Sequence, residues 1–307
     1  MKLDLIRKLN SKSKPNISKI SKELNITRKT FENNFKKLLK GEIVENFTIN
    51  INPNIEPNLK YVIMEIKTNP KEPELVEELL KISQLKMLDG IFGEFSLIAL
   101  FIFKNSEEFN RVLNNLDLIM SKSYFKKYQI IETIKVYKTN GLELSKIDLN
   151  PQHKLDDIDY NILNILLEKQ GSKLISAYEI KHLLEEDISQ STVYNRVKNL
   201  EESGIILNYS INFYPNKIDF KGKFIVRIKP KNPSKYDNLA LKLIKNPHIT
   251  DLFRIGEQYG LFAIIRVKEI EDYGNFIRKL YETEEIEDTY TNFVLDELKP
   301  YTNFIIF

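Results

Sequence analysis

The sequence predicts an α+β chain of two tandem modules, each a group of short helices followed by a β-α-β-β-α-β run. Three observations carry this. The chain repeats itself, each copy opens on amphipathic helical spacing, and each copy closes on alternating strand and helix patterns. Residues 26–54 (ITRKTFENNFKKLLKGEIVENFTININPN) align without gaps with 188–216 (ISQSTVYNRVKNLEESGIILNYSINFYPN), at a constant offset of 162. Identical pairs include Ile26/Ile188, Thr30/Thr192, Asn33/Asn195, Leu38/Leu200, Asn46/Asn208 and Pro53/Pro215. Downstream, Val62–Ile66 matches Phe224–Ile228, Gly93-Glu94 matches Gly256-Glu257, and 97–104 matches 261–268. The period is too long for a solenoid and reads as duplication of a two-part unit.

In the second copy, Ile158, Ile162, Ile165 and Leu166 lie at helical spacing, and a second helix follows over 177–185. Ser189 suits the N-cap of a third helix whose buried stripe is Val193, Val197 and Leu200. Gly204 suits its left-handed cap. A strand comes next, and three short helices with a polar face on the third read either as a winged helix-turn-helix, whose third helix could enter a DNA major groove, or as an ordinary small helical bundle. The remaining elements fall at 221–230, 234–245, 248–257, 260–268, 271–281 and 286–299. In the first copy they fall at 59–68, 72–83, 85–95, 96–104, 106–116 and 124–138. This order suggests a ferredoxin-like unit with helices on one sheet face. The other face also needs cover, which pairing two such sheets face to face would supply. The expected domains are 1–52, 53–146, 147–213 and 214–307. The modules join at the polar stretch Thr139 to Lys154, with Asn140-Gly141 and Asn150-Pro151 as turn signals.

Composition narrows the chemistry. The 307 residues carry 46 Lys+Arg against 43 Asp+Glu, a net charge of +3. That charge is polarised: +9 over residues 1–40, −2 over 41–154, −5 over 155–206 and +1 over 207–307. A basic head of this density can attract phosphate, although a solvated lysine-rich surface looks the same in sequence. No cysteine is present, which excludes disulfides, thiolate metal sites and cysteine nucleophiles. His153, His182 and His248 stand apart, so no metal site is expected. Phosphate-loop, dinucleotide-binding and nucleophile-elbow motifs are missing, so neither a cofactor nor an enzymatic activity is expected. The longest apolar run, Leu97 to Phe103, is too short for a membrane span, and the start lacks a signal peptide's apolar centre. No membrane contact and a cytoplasmic location are the expectations.

The second copy resembles the Lrp/AsnC (feast/famine) transcriptional regulators. Their opening motif appears as Leu155-Asp156-Asp157-Ile158-Asp159-Tyr160-Asn161-Ile162-Leu163. Their recognition helix appears as Ser189 through Ile206, with Ser189, Thr192, Val193, Arg196, Leu200, Glu201, Gly204 and Ile206 at the motif positions. The first copy matches less fully: Asn34 stands for the arginine, and Gly41 lies one position early relative to Gly204. The resemblance implies a regulator binding double-stranded DNA, a ferredoxin-like effector and oligomerisation domain, and an amino acid or other metabolite as effector. The usual member carries one copy and dimerises. Here the tandem would form an intramolecular pseudo-dimer, holding its two helix-turn-helix units side by side, with homo-oligomers also open. The acidic second copy leaves a metabolite-sensing or interaction module with degenerate DNA binding as the alternative. Siroheme decarboxylases are similar to this family too, but their arginine- and histidine-rich active-site segments are not found.

DNA-contact candidates in the first copy are Thr27, Arg28, Lys29, Thr30, Asn33, Asn34, Lys36, Lys37 and Lys40. The lysines suit phosphate, and Arg28 suits phosphate or a base. In the second copy they are Ser189, Gln190, Ser191, Thr192, Tyr194, Asn195 and Arg196. Gln190 and Asn195 suit adenine edges. Arg196 suits guanine or phosphate, or equally an ion pair with Glu201 or an acidic residue of the first helix. Effector candidates are Gly93-Glu94-Phe95-Ser96 and Gly256-Glu257-Gln258-Tyr259, where the family often has Gly-x-x-Asp. The aspartate is missing from both, and a tight turn needing glycine is the other reading of these loops.

Overall fold

The computed structural model describes residues 2–11, 13–55, 59–144 and 154–306. Asn150-Pro151 and His153 lie outside them. The first copy comprises α1 (Lys2–Leu9), α2 (Ile17–Glu23), α3 (Arg28–Lys40), β1 (Val44–Ile51), β2 (Lys60–Ile66), α4 (Pro73–Leu80), β3 (Leu85–Ile91), β4 (Leu97–Phe103), α5 (Ser106–Ser121), β5 (Tyr128–Thr139) and β6 (Leu142–Glu143). The second comprises α6 (Asp157–Glu168), α7 (Ala177–Leu183), α8 (Gln190–Glu202), β7 (Ile206–Phe213), β8 (Gly222–Pro230), α9 (Tyr236–Leu243), β9 (Ile249–Ile255), β10 (Leu261–Val267), α10 (Ile270–Glu282) and β11 (Ile286–Lys299). The chain folds into two compact units, each drawing on both copies. One is Met1–Glu56, Lys146–Asp219 and Thr302–Phe307; the other is Pro57–Ser145 and Phe220–Tyr301. The four expected domains are thus combined in pairs. The last residues join the helical unit rather than the preceding strand's, because Phe304 packs edge-on against Phe213, with centroids 4.9 Å apart.

The helical unit departs from the winged expectation. β1 makes no hairpin. It pairs antiparallel with its own repeat, β7, opposing Asn46 to Asn212 and Asn50 to Asn208. Asn50 Nδ2 donates to Asn208 Oδ1 at 2.8 Å, and Asn212 Nδ2 to Asn46 Oδ1 at 2.8 Å. One buried and one half-buried pair of amides therefore bond across the ribbon, which makes the pairing costly to slip.

In the other unit each half keeps the β-α-β-β-α-β order. The sheets do not stay separate and face each other, as expected; they join at their edges. β5 pairs β2 over Tyr128–Glu132 and then pairs β9. β11 pairs β8 up to Phe293 and then pairs β3. With the ladders β2-β4-β3 and β8-β10-β9, this closes an eight-stranded barrel. The physical cause is strand length. At 12 and 14 residues, β5 and β11 outrun their own sheets and pair the neighbour's free edge, which leaves the ring without edges. Asn140-Gly141, both at positive φ, make the two-residue turn into β6 rather than starting the linker. Alternation sorts the side chains. Val62, Met64 and Ile66 pack under α4 and α5, and Phe224, Val226 and Ile228 pack under α9 and α10. Tyr61, Ile63, Glu65, Lys223, Ile225 and Arg227 point the other way, into the barrel, and are buried.

α8 ends as expected, with Gly204 left-handed at φ +76. In α3 the cap is Gly41 at φ −82, and Glu42 takes the left-handed place at φ +49. A β-carbon there is strained by about 1–2 kcal/mol. Glu42→Gly should therefore raise the thermal midpoint by about 3 °C after the glycine's entropy is offset. Its exposed ion pair with Lys217, at 3.0 Å, contributes little. A melt followed by circular dichroism checks this; an unchanged or lower midpoint would refute the strain.

Candidate nucleic-acid interface and loop site

α3 and α8 are built alike. Thr27 and Ser189 are N-caps whose hydroxyls accept from the backbone N–H of Thr30 and Thr192, each at 3.0 Å. The Thr30 and Thr192 hydroxyls lie 2.8 Å from those cap oxygens, so these four side chains hold the helix starts. Phe31, Phe35 and Leu38 bury one face of α3, with the Phe35 ring tilted 5.0 Å from Phe47. Arg28, Lys29, Asn33, Lys36, Lys37 and Lys40 are left exposed, and Asn34 is half-buried. Arg28 Nε reaches Glu32 at 3.0 Å, an exposed pair that yields easily to a phosphate.

On α8, Val193 and Leu200 are buried while Val197 is only half-buried. Gln190, Ser191, Tyr194 and Asn195 are exposed. Arg196 differs. Its Nη1 lies 2.8 Å from Asp159 and 2.9 Å from Asp156, the residues that form the capping box of α6. The guanidinium and backbone N–H bonds hold the Asp156 carboxyl below its usual range against the opposing effect of burial. Glu201 instead accepts from the Tyr209 hydroxyl at 2.6 Å. Of the readings open for Arg196, the ion pair with the first helix is the one the structure makes. The arginine and the opening Asp-x-x-Asp are thus two ends of one contact.

The effector-loop candidates come together in the barrel unit. Gly93 has φ +146, so the first loop does need glycine. A Cβ there would lie 3.7 Å from the Tyr290 hydroxyl and 3.8 Å from Asn292 Nδ2, both on β11. Glu94 is exposed and paired with Lys127 at 2.7 Å, which lowers its pKa. Phe95 is buried, and Ser96 Oγ donates to the Thr68 carbonyl at 3.2 Å. In the second loop the glycine demanded is Gly260, at φ +77, rather than Gly256. A Cβ on Gly260 would run into the Arg254 guanidinium and the Tyr236 ring, which stack 3.5 Å apart. Gln258 is exposed, and the Tyr259 hydroxyl donates to Asp288 at 3.0 Å.

Glu257 lies 3.5 Å from Arg227 Nε, and Arg227 also pairs with Glu65 and stacks over Tyr290 at 5.3 Å. Burial, with the Glu65 carboxylate beside it, raises the Glu257 pKa against the pull of Arg227. Glu65, Arg227, Tyr290 and Asn292 escaped the sequence reading. The signal was there: a charge at the same repeat position of the apolar runs Val62–Ile66 and Phe224–Ile228.

Among the described residues, no helix is long and apolar enough to cross a membrane. Residues 223–304 match the family profile described as the Lrp/AsnC ligand binding domain. The chain is 33% identical to the HTH-type transcriptional regulator FL11 of Pyrococcus furiosus over 141 residues, 46% of this chain and 89% of that one. It is 34% identical to the HTH-type transcriptional regulator Ptr1 of Methanocaldococcus jannaschii over 146 residues, 47% of this chain and 95% of that one. Over its whole length it shares the fold of the siroheme decarboxylase NirDL. The TM-score is 0.63 at 13% identity, covering 100% of this chain and 93% of that one. The expectation that the chain is no enzyme is corrected by this match, because the same whole-chain architecture serves a decarboxylase. By the two sequence relatives and the matching domain, the chain belongs to the Lrp/AsnC family.

Proposed function

We propose that the chain is a sequence-specific DNA-binding transcriptional regulator, working in the cytoplasm as an intramolecular pseudo-dimer of two unlike modules. The observation that carries this is α3, whose capped first turn and lysine row are exposed and whose apolar face is buried. Relatives at one-third identity named as HTH-type regulators support the same reading. α8 offers Gln190, Ser191, Tyr194 and Asn195 to a second half-site, while Arg196 serves the ion pair with α6. The barrel-end cluster of Glu65, Arg227, Glu257, Tyr259, Tyr290 and Asn292 is the proposed place for a small polar effector.

Unlike recognition helices should select an asymmetric operator from random DNA; clean palindromes would overturn the pseudo-dimer. Replacing Lys29, Lys36, Lys37 and Lys40 with glutamine should weaken binding to all sequences and flatten the salt dependence by about two to four counterions. An unchanged slope in a salt titration would remove α3 from the interface. Arg196→Met should take the guanidinium away from the buried Asp159 carboxylate and cost about 2–4 kcal/mol of stability. Lost sequence preference with an unchanged melting curve would instead make Arg196 a base reader.

A second reading, decarboxylation of a tetrapyrrole, is favoured by one observation. The whole-chain fold is also that of NirDL solved with an iron-uroporphyrin III analogue, at TM-score 0.64 and 14% identity. Titrating an iron tetrapyrrole into the protein separates the two. The regulator reading expects no saturable shift in the absorbance band and an unaltered gel shift. A saturable shift with release of carbon dioxide would transfer the assignment to the enzyme.

A further inference from the structure

The strand registers of the two modules superimpose, so they fix which residues are counterparts. Tyr61 opposite Ile102 in the first module matches Lys223 opposite Arg266 in the second. Val136 opposite Phe253 across one closing seam matches Glu297 opposite Asp89 across the other. The modules are therefore related by a pseudo-twofold operation, and the barrel is isologous in form. Its interior is not symmetric in chemistry.

Glu65 and Arg227 are counterparts, both opposing the third strand of their sheet at the same register step. They are also in contact, as a buried ion pair. A contact between counterparts lies at the pseudo-twofold axis. At that spot a symmetric pairing would set Glu65 against Glu65, or Arg227 against Arg227. A second site diverges independently. Tyr61 packs on Phe253 with ring centroids 5.7 Å apart. The counterpart contact is Lys223 with Asp89, at 2.6 Å and almost fully buried. Pairing the first module with a copy of itself would give Asp89 a tyrosine and remove its cation. Pairing the second with itself would set Lys223 against Phe253, leaving the lysine only Glu297, which it already shares with Arg266.

We infer that the barrel interface carries a pairing code by which the first module accepts the second module of the same chain and rejects every copy of itself. Buried like charges at the axis and an unpaired buried carboxylate are the rejecting elements. The accepted partner is complementary at both sites. A one-module homodimer has no access to this device, since any change on its axis appears on both sides. This goes beyond the proposed regulatory role and holds whether the chain reads DNA or transforms a ligand.

The test uses the full-length chain, by thermal melting and light scattering. Glu65→Arg and Arg227→Glu should each lower the melting midpoint by about 10 °C or more. Together in one chain they should recover at least half of that loss, the remainder being repulsion between Glu257 and the carboxylate now at position 227. Refolding the two single variants together should yield a two-chain species, because Glu65→Arg in one chain complements Arg227→Glu in the other. The parent should remain a single chain of 36.2 kDa. At the second site, Asp89→Phe should be damaging alone and rescued by Lys223→Tyr, which recreates the Tyr61–Phe253 contact. Single variants that melt like the parent would overturn the code. So would double variants no better than the worse single, or co-refolding that yields no mixed species.

Discussion

Everything in the barrel unit depends on two strands that outrun their own sheets. Had β5 and β11 ended where their first partners end, each four-stranded sheet would expose an open edge on β3 or β9. Its second face, with Tyr61, Ile63, Leu100, Ile225, Phe253 and Ile264, would lie in water. The crossing from β2 to β9, and its counterpart from β8 to β3, removes both problems in one step. It also sets the terms for the charges inside. A lysine and an aspartate at 2.6 Å in a nearly dry interior are tolerable only because the closed wall holds them together. Burial, with the Glu297 carboxylate nearby, pushes the Asp89 carboxyl up to about 6 against the pull of Lys223 and Arg266.

Much of this was legible in the sequence. Repeat, element order and the caps Ser189 and Gly204 were readable because each is local: an alternation, a hydroxyl before an apolar stripe, a glycine after it. α5 runs past the expected end at 116, since Ile119 and Met120 continue its buried stripe. The wing was misread because a strand after a recognition helix looks the same whether it pairs with a neighbour or with its own repeat. Barrel closure was invisible for a similar reason. It is decided by what lies beside the last residues of β5 and β11, and that partner is more than a hundred residues away. Glu65 and Arg227 were visible as charges in apolar strands, but their meeting is a property of closure.

The two helix-turn-helix copies show divergence of the same kind on an exposed surface. One copy keeps the full opening motif and the arginine that binds it, within a segment of charge −5. The other has Asn34 in place of that arginine and lies in a segment of charge +9. Arg196 locks α8 to α6, so the acidic copy spends its cation on holding the helices together. The basic copy leaves Lys29, Lys36, Lys37 and Lys40 exposed. The helix-locking cation and the exposed basic surface thus sit in different copies, which a chain with one module could not arrange.

That freedom bears on how regulators and an enzyme can share one architecture. A pseudo-twofold scaffold supplies walls, helices and paired edges, and none of these specifies a chemistry. A symmetric dimer places the same residue on both sides of its axis, so a site there carries either two acids or two bases. Once the copies are joined in one chain, the axis can hold one of each, as Glu65 and Arg227 do. The loop of one copy can then meet the strand of the other as a distinct partner, as Gly93 meets Tyr290 and Asn292. Fusion thereby lets the two sides of one axis diverge, which a symmetric pair of one-module chains cannot do.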